Sequence, residues 1–220
     1  MMGDSSAEIT AISVPRLLLI SGATGTGKTT LAKAIAHEAN FARIVSTDTI
    51  REVMRISEIN GEQTGLRSAL HRSSYSRGEI GDPITDWIDT AEAVGAGIEA
   101  IVDKARREGV DLIVEGVHIV PNSRLVNDWK AAGGAAQGVV VKIEDERTHR
   151  ERIELREATT WRGPDRYLNS FDRIRSIQRS IVERGHGAEW KMVDTRLHTD
   201  GVGMIRQWLD EAWYAASRRR

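Results

Sequence analysis

There is no cysteine among the 220 residues, which excludes disulfides, thiolate metal sites and thiol nucleophiles and suits a reducing compartment. Net charge is nearly lacking as well. The 31 lysines and arginines against 32 aspartates and glutamates leave a formal charge of −1. That removes any whole-molecule electrostatic case for nucleic acid or anionic membranes. No apolar run approaches the ~20 residues that span a bilayer. Residues 1–10 are polar and acidic, without the basic-then-apolar layout of a secretory signal. These absences predict a cytoplasmic chain with no membrane and no nucleic-acid partner, and they say nothing of its oligomeric state. Aromatic residues are sparse, with two phenylalanines and three tyrosines, and the six tryptophans are scattered. The tryptophans read as core or lid packing and not as a base-stacking platform.

What is present is a phosphate-binding loop. Gly22, four residues, then Gly27-Lys28-Thr29 match G-x-x-x-x-G-K-[ST]. A short apolar run, Leu17 to Ile20, precedes it as a strand would, and a helical pattern follows from Lys28. The glycines let the backbone curl so that several N–H groups converge on one anion, and the helix N-terminus adds partial positive charge there. Gly22, Gly25, Thr26, Gly27, Lys28, Thr29 and Thr30 are therefore the predicted contacts to the phosphates of a nucleoside triphosphate, taken as ATP. Lys28 reaches the β- and γ-phosphates and the Thr29 hydroxyl ligates Mg²⁺.

Strands and helices alternate along the rest of the chain. Short runs rich in Val, Ile or Leu predict strands at 16–21, 43–47, 111–115, 138–143 and 190–194. Helices are predicted at 28–39, 48–57, 63–72, 84–107, 122–131, 145–159, 167–184 and 201–216. Gly95 and Gly97 lie inside the longest of these and either weaken it or allow close packing. The fold class is α/β, of the P-loop NTPase type: a parallel sheet of about five strands, helices on both faces and a helical lid. Residues 1–14 are predicted to be a flexible arm, 15–217 a single domain with a lid at about 147–166, and 218–220 a tail.

Two carboxylates fall where apolar runs stop, at the rim that faces the nucleotide in this architecture. Asp48 follows Ile44 to Thr47, and can accept a proton from an attacking hydroxyl or simply cap a helix starting at Thr49. Glu115 follows Asp111 to Val114. It can hold Mg²⁺ through water, or it can belong to a surface turn with Gly116. In the charged segment 144–157 most residues pair at helical spacing, such as Glu146 with Arg150 and Arg147 with Glu151. Arg152 and Arg156 have no acid three or four residues away. An anionic ligand would relieve their repulsion, and the planar guanidinium suits phosphate, so both are predicted phosphate-contacting lid residues. Arg51, Arg55, His71, Arg72, Arg77 and His118 add cationic or basic groups to segments expected near an acceptor. Ser73, Ser74 and Tyr75 add hydroxyls.

The strand, the loop, the Asp after the second strand and the arginine-bearing segment together resemble the small-molecule P-loop kinases. A narrower resemblance rests on Ser46 to Arg55, Ser73-Ser74-Tyr75, Glu115 to Pro121, Arg166 to Asn169, Phe171, Ile174-Arg175 and Ile177-Gln178. Over residues 16–195 these segments look like the 2-phosphoglycerate kinase family. The resemblance implies ATP- and Mg²⁺-dependent phosphorylation of 2-phosphoglycerate to 2,3-diphosphoglycerate, with a small anionic acceptor as the broader expectation. In that scheme Lys28, Asp48, Arg152 and Arg156 are catalytic, Arg51, Arg55, Ser74, Tyr75 and His118 face the acceptor, and Thr29 with Glu115 serves the metal. Family members with this activity carry an additional region N-terminal to the loop. The rival readings are a nucleotide-dependent switch or regulatory ATPase, and a kinase of a nucleotide-sugar or nucleic-acid end. Neither a switch-like segment nor an oligomeric ATPase's arginine finger is evident, and the near-zero net charge argues against a nucleic-acid groove.

Overall fold

The architecture comes from a computed structural model that describes residues 14–58, 70, 81–158 and 165–219. Five parallel strands, β1 (Arg16–Ser21), β2 (Ile44–Ser46), β3 (Leu112–Gly116), β4 (Ala135–Lys142) and β5 (Lys191–Asp194), form one sheet in the order β2-β3-β1-β4-β5. β1 is central because every residue from Leu17 to Ser21 is buried, so both of its faces need cover. Leu17 and Leu19 point to one face, Leu18 and Ile20 to the other, and the two sets belong to separate apolar clusters.

The helices divide accordingly. On the Leu18 face lie α1 (Lys28–Glu38), through Leu31 and Ile35, and α8 (Gly201–Ser217), through Ile205 and Leu209. On the Leu17 face lie α3 (Pro83–Glu108), α4 (Arg124–Ala131) and α7 (Phe171–Gly187). Three tryptophans fill this larger core and each finds an acceptor for its indole N–H. Trp87 donates to the Val117 carbonyl at 2.7 Å, Trp129 to Pro15 at 3.0 Å and Trp190 to Asn122 at 3.1 Å. α3 starts on Asp82, whose carboxylate accepts from Thr85 N–H at 2.7 Å, with Pro83 at the first helical position, and it stops at Gly109. Within α3, a Cβ at Gly97 would lie 2.5 Å from Ile50 Cγ2. Gly97 therefore lets α2 (Thr47–Glu58), which follows β2 directly at the sheet's carboxyl edge, lie close against α3.

The structure differs from expectation in two places. β4 starts at Ala135, three residues before Gly138, because Arg16 to Leu18 of β1 extend the pairing to Ala135, Ala136 and Gln137. Burial and pairing override the weak strand preference of alanine there. The helix expected over 167–184 is two helices, α6 (Asp165–Leu168) and α7, separated at Asn169 and Ser170. Of the helix expected at 63–72 only Leu70 is among the described residues, fully buried against the α2–α3 core. Among the described residues, no helix is long and apolar enough to cross a membrane.

Candidate active site

The loop from Gly22 to Thr29 joins β1 to α1. Gly25 and Gly27 have φ of 82° and 92°, a left-handed conformation open to glycine, while Thr24 and Thr26 alternate with them. This alternation curls the backbone into a nest. The Thr26 hydroxyl closes the turn by donating to the Ala23 carbonyl at 2.9 Å, and Lys28 Nζ donates to the same carbonyl at 2.8 Å. Burial pushes the Lys28 ammonium below its ordinary pKa, and the charges of Glu115 and Asp48 pull it back up. α1 has no side-chain cap and no acid in its first turn, so its leading N–H groups are left to an anion from elsewhere. Thr29 and Thr30 sit exposed on that first turn.

Glu115 is the next-to-last residue of β3, directly beside the loop strand, in register with Ile20 on one side and Ser46 on the other. It is 4% exposed, and its Oε1 accepts from the Thr29 hydroxyl at 2.9 Å. A buried carboxylate bound to the hydroxyl after the loop lysine is an all-oxygen, anionic donor set, which fits Mg²⁺. The surface-turn alternative for Glu115 is thereby removed.

Asp48 does not cap a helix at Thr49. α2 begins at Thr47, and Asp48 stands in its first turn with a side chain 74% exposed. Its Oδ1 lies 3.7 Å from Nδ1 of His118, a buried ring that also contacts the Thr47 hydroxyl at 3.1 Å. His118 is not the cation expected. Burial pushes its pKa down, against the charge of Asp48, and the nearby Arg51 and Lys28 push the same way. Of the two α2 arginines, Arg51 donates from Nε to the Leu70 carbonyl at 3.0 Å. Arg55 is ion-paired with Glu52 one helical turn back, at 2.9 Å, and so is not the unpaired charge expected. His71, Arg72, Ser73, Ser74, Tyr75 and Arg77 lie outside the described residues, as does the part of the expected lid over 159–164.

α5 (Glu146–Ala158) lies against the loop. A Cβ on Gly25 would come within 2.5 Å of Ile153 Cγ1, and one on Gly27 would sit 3.8 Å from Arg152 Nη1. Arg152 is thus beside the phosphate loop, where it donates from Nη1 to the Thr195 hydroxyl at 2.6 Å and from Nη2 to the Thr195 carbonyl at 3.0 Å. Arg156 has the acid partner it was expected to lack. Glu157, buried at the next position, accepts from Arg156 Nε at 2.9 Å and Nη2 at 2.6 Å, and the guanidinium stacks over Tyr167. Counting only acids three or four residues away misses a pair between adjacent residues. The segment after β5 also belongs to the site: Thr195 donates to the Thr26 carbonyl at 3.0 Å, and Asp194 accepts from the N–H groups of Glu144 and Arg196.

Nothing in the sequence marks His149 or Glu157 as functional, and Arg175 is marked only by the family resemblance. The buried face of α5 is His149, Ile153 and Glu157, spaced four apart, so only one of its three members is apolar and hydrophobic periodicity does not reveal it.

Known proteins bear out the architecture. The chain is 36% identical to a 2-phosphoglycerate kinase of Methanopyrus kandleri over 178 residues, 77% of this chain and 53% of that protein. It is 33% identical to one of Methanothermobacter thermautotrophicus, over 79% of this chain and 59% of the relative. The chain thus spans little more than half the length of these curated relatives. Among solved structures, a kinase described as putative from Chloroflexus aurantiacus superposes with a TM-score of 0.55 at 23% identity, covering 91% of this chain and 99% of that one. A gluconokinase from Sinorhizobium meliloti follows at 0.50 and 14%, covering 94% and 96%. Both share the fold. Residues 17–178, from the loop strand through Gln178, match the AAA domain family model, and the chain belongs to that family.

Proposed function

We propose that the protein is an ATP-dependent kinase that transfers the γ-phosphoryl group to a hydroxyl of a small anionic acceptor, with 2-phosphoglycerate as the acceptor and 2,3-diphosphoglycerate as the product. The observation that carries the reading is the cluster of Lys28, the Thr29–Glu115 hydrogen bond and exposed Asp48 at one end of the sheet. In this scheme Lys28 and the loop N–H groups hold the triphosphate. Mg²⁺ held by Thr29 and Glu115 would supply charge neutralisation at the phosphates. Asp48 takes the proton of the acceptor hydroxyl, whose oxygen bonds the γ-phosphorus as the bond to the bridging oxygen of ADP breaks. Most of the catalysis is then positioning and fixed charge.

An anionic acceptor fits the balance of charge. Asp48 and Glu115 would repel it unless cations offset them. Lys28 and Arg51 both lie close enough to His118 to depress its pKa, which puts two positive groups on the Asp48 side. Arg152 stands over the loop from α5, the root of a lid proposed for 147–166. The names of the relatives support 2-phosphoglycerate within this class. A cytoplasmic setting, where ATP is available, goes with the reading. The test is an ATP-consumption screen across phosphorylated carboxylic acids, sugars and nucleotides, with product mass measured. Turnover with 2-phosphoglycerate and none with neutral polyols is expected; phosphorylation of neutral compounds alone would overturn the acceptor class.

A further inference from the structure

A loop that binds phosphate through its own N–H groups must have those groups facing inward. In a planar trans peptide the carbonyl and the following N–H point in opposite directions. Whatever holds the loop's carbonyls on the outside therefore decides where the N–H groups aim. Two carbonyls of this loop are held from outside by side chains. His149 Nε2 meets the Thr24 carbonyl at 2.7 Å, and the Thr195 hydroxyl donates to the Thr26 carbonyl at 3.0 Å. The N–H groups on the far sides of those peptides belong to Gly25 and Gly27, the two residues with left-handed φ.

Each holding group has its proton direction set by an arginine behind it. A guanidinium can only donate. Arg175 Nη1 faces His149 Nδ1 at 3.4 Å, so Nδ1 is the acceptor and Nε2 carries the hydrogen that goes to Thr24. Arg152 Nη1 donates to Thr195 Oγ1 at 2.6 Å, so the single hydroxyl proton is left for Thr26. The supports are themselves fixed. Arg175 is nearly buried and donates to the carbonyls of Ile143 at 2.7 Å and Glu144 at 2.8 Å. The His149 ring is fully buried, edge-on to Phe171.

We propose that His149 and Thr195 are positioning residues for the phosphate loop: primed by Arg175 and Arg152, they hold the Thr24 and Thr26 carbonyls outward and preset the Gly25 and Gly27 N–H groups toward the nucleotide's phosphates. The proposal rests on the loop binding a nucleotide, as in the function proposed above. It also gives Arg152 a second task compatible with the first, since a guanidinium has five N–H donors and Thr195 occupies two of them.

The test is calorimetric titration of Mg·ATP and of inorganic tripolyphosphate into the full chain, alongside thermal unfolding. Thr195→Val removes the hydroxyl at constant shape, and Thr195→Ser restores it. His149→Leu removes the donor, and His149→Gln keeps an N–H near the Nε2 position. Loss of one such hydrogen bond predicts about 5-fold weaker binding of both probes for Thr195→Val and His149→Leu. The Ser and Gln variants should lie within about twofold of wild type on the same scale. In turnover, KM for ATP should rise more than kcat falls. Tripolyphosphate carries no base, so a parallel loss locates the effect at the phosphates. Should His149→Leu fail to fold, the Thr195 pair decides. Folded Thr195→Val binding both probes as wild type does would overturn the proposal while leaving the nucleotide reading intact. A wild-type chain that binds neither probe would remove both.

Discussion

The Thr29 hydroxyl and the Glu115 carboxylate are joined by a 2.9 Å hydrogen bond that ties the first turn of α1 to the end of β3. Residues 86 positions apart in sequence thus form one oxygen cluster at the mouth of the phosphate loop. Glu115→Gln keeps the shape and a hydrogen-bonding oxygen but loses the charge that a hard cation needs. Turnover at saturating ATP should fall by roughly 10²-fold or more, with the Mg²⁺ concentration for half-maximal rate rising, as expected for loss of a charged electrostatic group. Binding of ATP without metal should hardly change. Rate against Mg²⁺ concentration, measured for both proteins, checks it.

Asp48 projects from the first turn of α2 with most of its side chain in solvent. Because it does not cap the helix, its replacement should leave stability within about 0.5 kcal/mol, the usual range for surface positions. Asp48→Asn cannot accept a proton, and the rate should drop by ~10²–10⁴-fold if it is the general base. Unchanged turnover by the folded Asn variant, with urea midpoints matched, would remove Asp48 from the chemistry.

Arg152 presents a planar fork to Thr195 beside Gly27. Arg152→Lys keeps the charge but not the two-pronged geometry. The rate should fall by roughly 10-fold or more while the melting temperature changes little, because the fork serves the loop more than the core. Equal kcat and KM in the Lys variant would show that charge alone suffices.

Two buried histidines set the acid sensitivity of the fold. Burial pushes His149 down from 6.5 to about 4 and lowers His118 as well. Between those values the unfolded chain binds protons that the native state refuses, so stability rises with pH there. The contribution is complete above about pH 6.5 and is lost as pH falls toward 4, at roughly 1.4 kcal/mol per unit of pKa difference. Urea midpoints should therefore decline already from pH 6.5 to 5, before ordinary carboxylates titrate. His149→Gln should flatten that slope. A wild-type midpoint constant over pH 6.5–5 would contradict the buried neutral imidazoles.

The sheet was legible in sequence because buried parallel strands are short apolar runs, and Leu17 to Ile20 and Leu112 to Val114 show that pattern without interruption. The loop was legible because Gly25 and Gly27 are needed where φ is positive. What escaped is what tertiary contact decides. Glu157 becomes buried only because α5 turns it inward, so the Arg156–Glu157 pair has no periodic signature. His118 reads as a basic residue until burial makes it neutral. Thr195 reaches Thr26 across 169 positions, a distance no local pattern spans.

The proposed function requires transfer of a phosphoryl group at the Lys28 site to an anionic acceptor. The most direct measurement is mass spectrometry of the products formed from γ-¹⁸O-labelled ATP and 2-phosphoglycerate, for wild type and Lys28→Ala. Lys28 supplies the buried ammonium at the loop, so the variant should fold, with an unchanged circular dichroism spectrum, and transfer nothing. Labelled 2,3-diphosphoglycerate is expected from wild type alone. Labelled inorganic phosphate with no phosphorylated acceptor, or equal product from the Lys28→Ala chain, would contradict it.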